Sequence, residues 1–333
     1  MEKRFMADEN RYSNGMVYRR CGKSGIVLPA ISLGLWHNFG SVDRFENSRE
    51  MLHFAFDKGI NHFDLANNYG PVYGSAEETF GRVMKKDFMP YRNELFISTK
   101  AGHQMWEGPY GDGGSRKYLM NSIDDSLRRM NLDYVDVFYI HRYTPETPLE
   151  ETMQALVDIV RQGKALYVGI SKYPADAMEE AYAYLADRGV RCLVHQDRYS
   201  MYSRDVENGV LSLAAGSGVG FVAFSPLFQG LLTDRYLHGI PDGSRAARPE
   251  AFLKKDQVSE ELVQKSVQLN EIAIRRGQTL AQMAIAWVLR LPEVTSAIVG
   301  ASSVNQLDGN LQALNNLNFT PEELAEIQTI LQK

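Results

Sequence analysis

The chain has 333 residues, 44% hydrophobic and 23% charged, with a formal net charge of −5, an ordinary balance for a globular protein able to bury a large core. The acidic excess argues against nucleic-acid binding, and two cysteines, Cys21 and Cys192, exclude a disulfide framework or a cysteine-rich metal centre, so no metal is expected. No run approaches the ~20 apolar residues of a membrane span, and MEKRFMADENRY at the start lacks the apolar stretch of a secretion signal, so the expectation is a cytoplasmic protein with no membrane partner.

Along the chain, residues 15–29 alternate around Gly22-Lys23-Ser24-Gly25, which predicts a hairpin. Short apolar runs then recur as strand candidates: AISLG (30–34), INHFD (60–64), ELFISTK (94–100), VDVFYI (135–140), LYVGI (166–170), CLVHQ (192–196), VGFVAF (219–224) and SAIVG (296–300). Near-continuous apolarity suits parallel strands covered on both faces.

Helical stripes lie between them. Leu119, Ile123, Leu127 and Met130 form one, and Met153, Leu156, Val157 and Val160 form another that Gly163 ends. Val304, Leu307, Leu311 and Leu314 form a third, with Ser303 placed as its cap. A last helix opens on Thr320-Pro321-Glu322-Glu323, a capping box with proline at the first helical position.

Strand ends near 34, 64, 100, 141, 171, 196, 225 and 300 mark eight strand–helix units, with one long gap before the last. Eight units predict a (β/α)8 TIM barrel. A doubly wound sheet would carry a Gly-rich phosphate turn after an early strand, and none is present. We expect one domain over residues 1–333, with the barrel at about 16–318 and a C-terminal helix at about 320–331. Two long loops, 103–117 after strand three and 227–257 after strand seven, leave the strand ends where barrel active sites sit, and a further helix is expected at about 258–276.

Four residues at that face suit carbonyl reduction. Asp64 ends strand two, Tyr69 follows five residues later, Lys100 ends strand three and His141 follows strand four. A tyrosine can give the carbonyl oxygen its proton, although a free phenol titrates near 10. An adjacent ammonium is expected to lower that value, and a carboxylate keeps the ammonium charged and placed. A neutral histidine can donate a hydrogen bond to the developing oxyanion. Taken singly, each residue also fits a cap, a core group or a structural ion pair; the four together at one barrel face carry the case.

The order Asp-x4-Tyr, Lys, His on strands two to four resembles the aldo-keto reductase superfamily. So do LGLW (33–36), FDLANNYG (63–70), STK (98–100), IHR (140–142), GISKY (169–173), FSPL (224–227) and IVGASS (298–303), and the resemblance runs over residues 16–331. HQDRYSM, FSPLFQGLLTDRYLHGIPDGSRA and GASSVNQL are similar to the branch of voltage-gated potassium channel β-subunits and bacterial L-glyceraldehyde 3-phosphate reductases.

The resemblance implies NADPH, with NADH less favoured, and a small carbonyl substrate such as glyceraldehyde 3-phosphate or methylglyoxal. It implies that Ser171 and Gln196 hold the nicotinamide carboxamide and that Phe224 stacks on the ring. Ser225, Pro226, Leu227, Gln229 and Arg235 would follow the pyrophosphate, and Arg245 would contact phosphates. Ser302, Gln306 and Asn310 would hold the adenosine end, and Trp36 would line the substrate pocket. Independently of the resemblance, Gly300-Ala301-Ser302-Ser303 leads into a helix N-terminus, whose free N–H groups and dipole favour a phosphate.

Two departures stand out. Lys172 follows Ser171 where the superfamily commonly has Asn, and Gly309 stands where channel-branch relatives often carry an acid near the adenosine. Two other functions compete with reduction. A cofactor-sensing regulatory subunit is one, but channel subunits commonly have Asn at the His141 position. An aldolase with Lys100 as Schiff-base nucleophile is the other, opposed by Asp64 keeping that lysine protonated. The resemblance leaves both a monomer and a homo-oligomer open.

Overall fold

Two short antiparallel strands, β1 (Tyr18–Arg20) and β2 (Val27–Pro29), form the expected hairpin. The eight expected strands follow: β3 (Ile31–Gly34), β4 (His62–Asp64), β5 (Phe96–Ala101), β6 (Val135–Ile140), β7 (Ala165–Ser171), β8 (Cys192–Arg198), β9 (Gly220–Phe224) and β10 (Val294–Val299). They are parallel and close in the order β10-β3-β4-β5-β6-β7-β8-β9, with β9 pairing β10, which makes the fold the (β/α)8 barrel. The computed structural model describes residues 5–237, 239 and 258–332. Arg245 and most of the loop after β9 therefore lie outside the described residues.

Ten α-helices among the described residues surround the strands: α1 (Phe45–Asp57), α2 (Ser75–Val83), α3 (Arg116–Met130), α4 (Leu149–Arg161), α5 (Ala175–Asp187), α6 (Val210–Gly216), α7 (Glu260–Arg275), α8 (Leu280–Leu289), α9 (Val304–Leu311) and α10 (Pro321–Gln332). The expected caps are in place. Ser303 Oγ accepts from the Gln306 N–H, and Thr320 and Glu323 exchange both capping-box bonds. Gly163, at φ 72°, closes α4 in the left-handed conformation a C-terminal glycine supplies. The long gap before β10 holds the expected extra helix, α7, and also α8, which is buried on nearly every side.

Every residue of β5, β6 and β10 is buried, because helices cover the outside and side chains fill the inside. One cluster, around Phe56, Phe63, Phe80 and Phe138, packs between strands and helices. A second, with Val137, Tyr139, Val194, Val222 and Ile298, fills the barrel, and Cys21 and Leu28 of the hairpin segment join it as a plug. A backbone bond from the Lys23 N–H to the Gly218 carbonyl ties that plug to the segment before β9. Both cysteines are buried free thiols.

Tyr139 projects inward beneath the barrel mouth and needs a neighbour without a side chain. Gly169 on β7 supplies it, since a Cβ there would stand 2.4 Å from the Tyr139 ring. Gly169→Ala should therefore destabilise the fold by about 1–3 kcal/mol, the usual range for overpacking. A thermal melt within a degree of wild type would contradict this account of the barrel interior.

Candidate active site

Strand register sets the geometry of the mouth. Asp64 pairs with Ser98 across β4 and β5, so Lys100 stands two residues higher on the same inward face. His141 comes one residue after β6, and Tyr69 lies in the segment from β4 to α2. The Lys100 Nζ donates to Asp64 Oδ2 at 2.6 Å and to the Leu65 carbonyl at 2.6 Å, and it lies 3.5 Å from the Tyr69 hydroxyl. The Tyr69 ring meets His141 edge-on with centroids 5.7 Å apart, and Trp36 lies 6.4 Å from Tyr69 on another side. All four expected residues and Trp36 thus meet at the C-terminal end of the barrel. Trp106 and Tyr110, the other candidate pocket aromatics, are about half exposed on the loop after β5.

Asp64 is held from three directions. Besides Lys100, its Oδ1 accepts from Ser98 Oγ at 2.7 Å and from Gln196 Nε2 at 3.0 Å. A carboxylate only accepts, so the Ser98 proton is committed to Asp64. Ser98 Oγ must then accept from His62 Nε2, 3.1 Å away, which leaves His62 Nδ1 to accept from Ser32 Oγ at 2.8 Å. Ser32 lies 2.7 Å from Ser296 Oγ. A chain of oriented hydrogen bonds therefore runs from Ser296 through the barrel interior to Asp64. The sequence carried a signal for it: Ser98 and Lys100, like His62 and Asp64, are two residues apart and share an inward face.

Protonation follows burial. Desolvation pushes the Tyr69 phenol well above its ordinary value, and Asp64 adds to the rise. This corrects the expectation that Lys100 would lower it. At 3.5 Å the ammonium sits at the limit of a hydrogen bond and is committed to Asp64 and Leu65. Burial lowers Lys100, against the pull of Asp64. His141 falls well below its ordinary value through burial and then the Lys100 and Lys172 charges, so it is a neutral imidazole, as expected.

The residues expected around a cofactor fall into two groups. Ser171, Gln196 and Phe224 sit at adjacent strand ends beside the mouth, where Ser171 pairs with Gln196 in register. Ser171 Oγ is buried without a hydrogen-bond partner, while Gln196 is engaged by Asp64. Ser225, Pro226, Leu227 and Gln229 line the turn after β9, with Ser225 and Gln229 left-handed at φ 56° and 57°, and Arg235 is exposed beyond them. Gly300 and Ser302 lie in the turn from β10 into α9, and Gln306 and Asn310 lie on that helix. The N–H groups there are less free than expected: the Ser302 N–H donates to Gln306 Oε1 and the Gln306 N–H to Ser303. Asn310 Nδ2 is buried without a partner. A recess of about 250 Å³ opens between α1, at Asn47, Glu50 and Met51, and residues 302–305. Buried polar groups ordinarily find partners, so Ser171 and Asn310, with the open turn at 300–303, fit a polar ligand such as a dinucleotide. Among the described residues there is no group of His, Cys, Asp and Glu able to hold a metal, and no helix long and apolar enough to cross a membrane.

The model of the aldo/keto reductase family matches residues 30–332. The chain belongs to that family. This aldo-keto reductase is 53% identical over 327 residues to L-glyceraldehyde 3-phosphate reductase of Escherichia coli O157:H7, covering 97% of this chain and 94% of that protein. It is 52% identical over the same length to the protein of that name from strain K12. A probable voltage-gated potassium channel subunit beta of Oryza sativa subsp. japonica is 36% identical over 325 residues, 95% of this chain and 97% of that one. Both branches of the expected resemblance are therefore present, and the chain is an oxidoreductase of the aldehyde-reducing kind. Its family generally uses NADP(H).

The buried imidazole of His62 gives this reductase a test by pH. His62 is fully buried, and burial lowers it from 6.5 to about 4. As pH falls, the unfolded chain takes up that proton first. The contribution is complete above about 6.5 and is lost progressively down to about 4, on the order of 3 kcal/mol in all. Melting temperature followed across that window should fall less steeply in His62→Gln than in wild type; parallel slopes would remove His62 from the account.

Proposed function

We propose that the protein reduces short aldehydes and ketoaldehydes to alcohols with NADPH, glyceraldehyde 3-phosphate and methylglyoxal among its substrates. The observation that carries the reading is the convergence of Lys100, Asp64, Tyr69 and neutral His141 at one buried mouth. The 53% identity to a protein named for reducing L-glyceraldehyde 3-phosphate supports this substrate class.

In this reading the bound cofactor supplies a hydride to the carbonyl carbon. The chain supplies the rest. His141 donates a hydrogen bond to the carbonyl oxygen and orients it beside Tyr69, and its neutrality lets it act without moving charge. Tyr69 gives its hydroxyl proton to the oxygen as charge develops there, completing the alcohol. A phenol raised by burial is fully protonated at neutral pH, which suits a donor, and an alkoxide is basic enough to take the proton. Lys100 then faces the tyrosinate across 3.5 Å and compensates its charge, with Asp64 holding the ammonium in place. Trp36 walls the substrate side.

We assign the carboxamide to Ser171 and Gln196, the nicotinamide face to Phe224, and the pyrophosphate to Ser225, Pro226, Leu227, Gln229, Arg235 and Arg245. The adenosine end goes to Gly300, Ser302, Gln306 and Asn310. The unpartnered Ser171 Oγ and Asn310 Nδ2 mark two ends of that path. NADPH is favoured over NADH because the family generally uses it. Residues 1–333 act as one unit in this scheme.

Tyr69→Phe should lower turnover of short aldehydes at least about 100-fold, the low end of a general acid's contribution. NADPH binding, followed by fluorescence, should stay near wild type because no assigned cofactor contact is touched. Turnover near the wild-type rate would overturn the assignment of Tyr69.

A further inference from the structure

The mouth carries a second positive cluster that the reduction itself does not use. Lys172 directly follows β7 and is left-handed at φ 55°. Its ammonium stands 3.3 Å from His103 Nε2, on the loop after β5. The His103 ring in turn meets His141 edge-on, with centroids 4.5 Å apart. A row of three groups thus leads from Lys172 to the imidazole at the proposed carbonyl position.

The other charges near Lys172 are largely committed. Arg142 is bound by both Asp112 oxygens and the Gly102 carbonyl. Arg198 is exposed and lies 6.0 Å from the Phe224 ring, from which Lys172 lies 5.6 Å. Lys100 is held by Asp64. Asp197 favours the Lys172 charge from β8, yet among the described residues no carboxylate oxygen lies within 4.0 Å of Lys172 Nζ. Lys172 is also only partly exposed. Burial, then the neighbouring cations set against Asp197, lower it to about 8. Burial followed by Lys172 and Arg142 lowers His103 to about 4. A part-buried ammonium with no carboxylate close to it, among further cations and beside a neutral imidazole, is a place where an anion is favoured.

We propose that Lys172 and His103 form the subsite for the phosphate of a phosphorylated aldehyde whose carbonyl lies against His141 and Tyr69. The proposal rests on the carbonyl-reducing reading of the mouth and deepens it to a substrate class. The ammonium turns from His103 to the phosphate oxygens. His103, a neutral imidazole with one ring N–H, turns that N–H to the phosphate as a second donor.

The test is the ratio of kcat/KM for glyceraldehyde 3-phosphate to that for glyceraldehyde, which has the same carbonyl and no phosphate, at saturating NADPH. A hydrogen bond to a charged group contributes about 1.5–3 kcal/mol, so Lys172→Gln should lower this ratio about 10- to 100-fold. Lys172→Arg, charged at every accessible pH, should restore much of it. In wild type the ratio should decline as pH rises through about 8, where Lys172 loses its proton, and in Lys172→Arg it should hold. A ratio unchanged in Lys172→Gln, whether both substrates weaken together or neither does, overturns the subsite and leaves the reductase reading standing. Wild type that reduces neither aldehyde overturns that reading, and the subsite falls with it.

Discussion

The buried ammonium of Lys100 is the constraint on which the mouth depends. An ammonium has three protons and no acceptor, and Lys100 is fully buried. Its partners are Asp64, the Leu65 carbonyl and, at longer range, the Tyr69 hydroxyl. Removing Asp64 would strand a charge in a dry interior at a cost of about 3–5 kcal/mol. Asp64 therefore cannot drift, and its remaining oxygen is fixed by Ser98 on β5 and Gln196 on β8. Through that one carboxylate, strands on opposite parts of the barrel hold the tyrosine in register.

Much of this was legible in the sequence, and the reasons differ by element. The eight strands were visible because parallel strands covered on both faces read as apolar runs. The strand ends in turn place Asp64, Lys100 and His141 at one face. α8 was not visible as a stripe: Leu280 to Leu289 is apolar all round, so it has no polar face to reveal its period. Ser98 and His62 carried a period-two signal that pairs them with Lys100 and Asp64. The Gln196–Asp64 bond carried none, since it forms only when the barrel closes. The direction of the Tyr69 shift was hidden for a similar reason. Burial is a tertiary property, and here it outweighs the lysine that the motif places nearby.

Left-handed residues recur at the same face. Asn38 follows β3, Lys172 follows β7, and Ser225 follows β9. Such conformations cost a non-glycine residue about 1–3 kcal/mol and persist where the surroundings fix them. Asn38 is fixed by its bond to the Ala301 carbonyl and by Ser48. Lys172 is fixed by its N–H on the Gln196 carbonyl, and Ser225 by the turn it closes with Phe228. Each lets the chain leave its strand abruptly, so that side chains at strand ends point across the mouth. At Lys172 the left-handed backbone thus presents a cation at the mouth.

Burial also separates two uses of positive charge. Lys100 is fully buried, its nitrogen 3.5 Å from the Tyr69 hydroxyl, and the Tyr69 ring in turn meets His141. That geometry opposes imine formation on Lys100, which needs an accessible uncharged nitrogen. It favours a role in which the charge is felt through the phenol. Lys172, by contrast, is partly exposed and lacks a close carboxylate, so its charge is available to something that arrives. Between them stand His103 and His141, both kept neutral by burial and by cations around them. The inner ammonium still reaches the outer one, since the Lys100 charge is among those that lower Lys172. In the proposed scheme Tyr69 carries the chemistry and Lys172 the selection, and the two are joined through rings 4.5 Å apart.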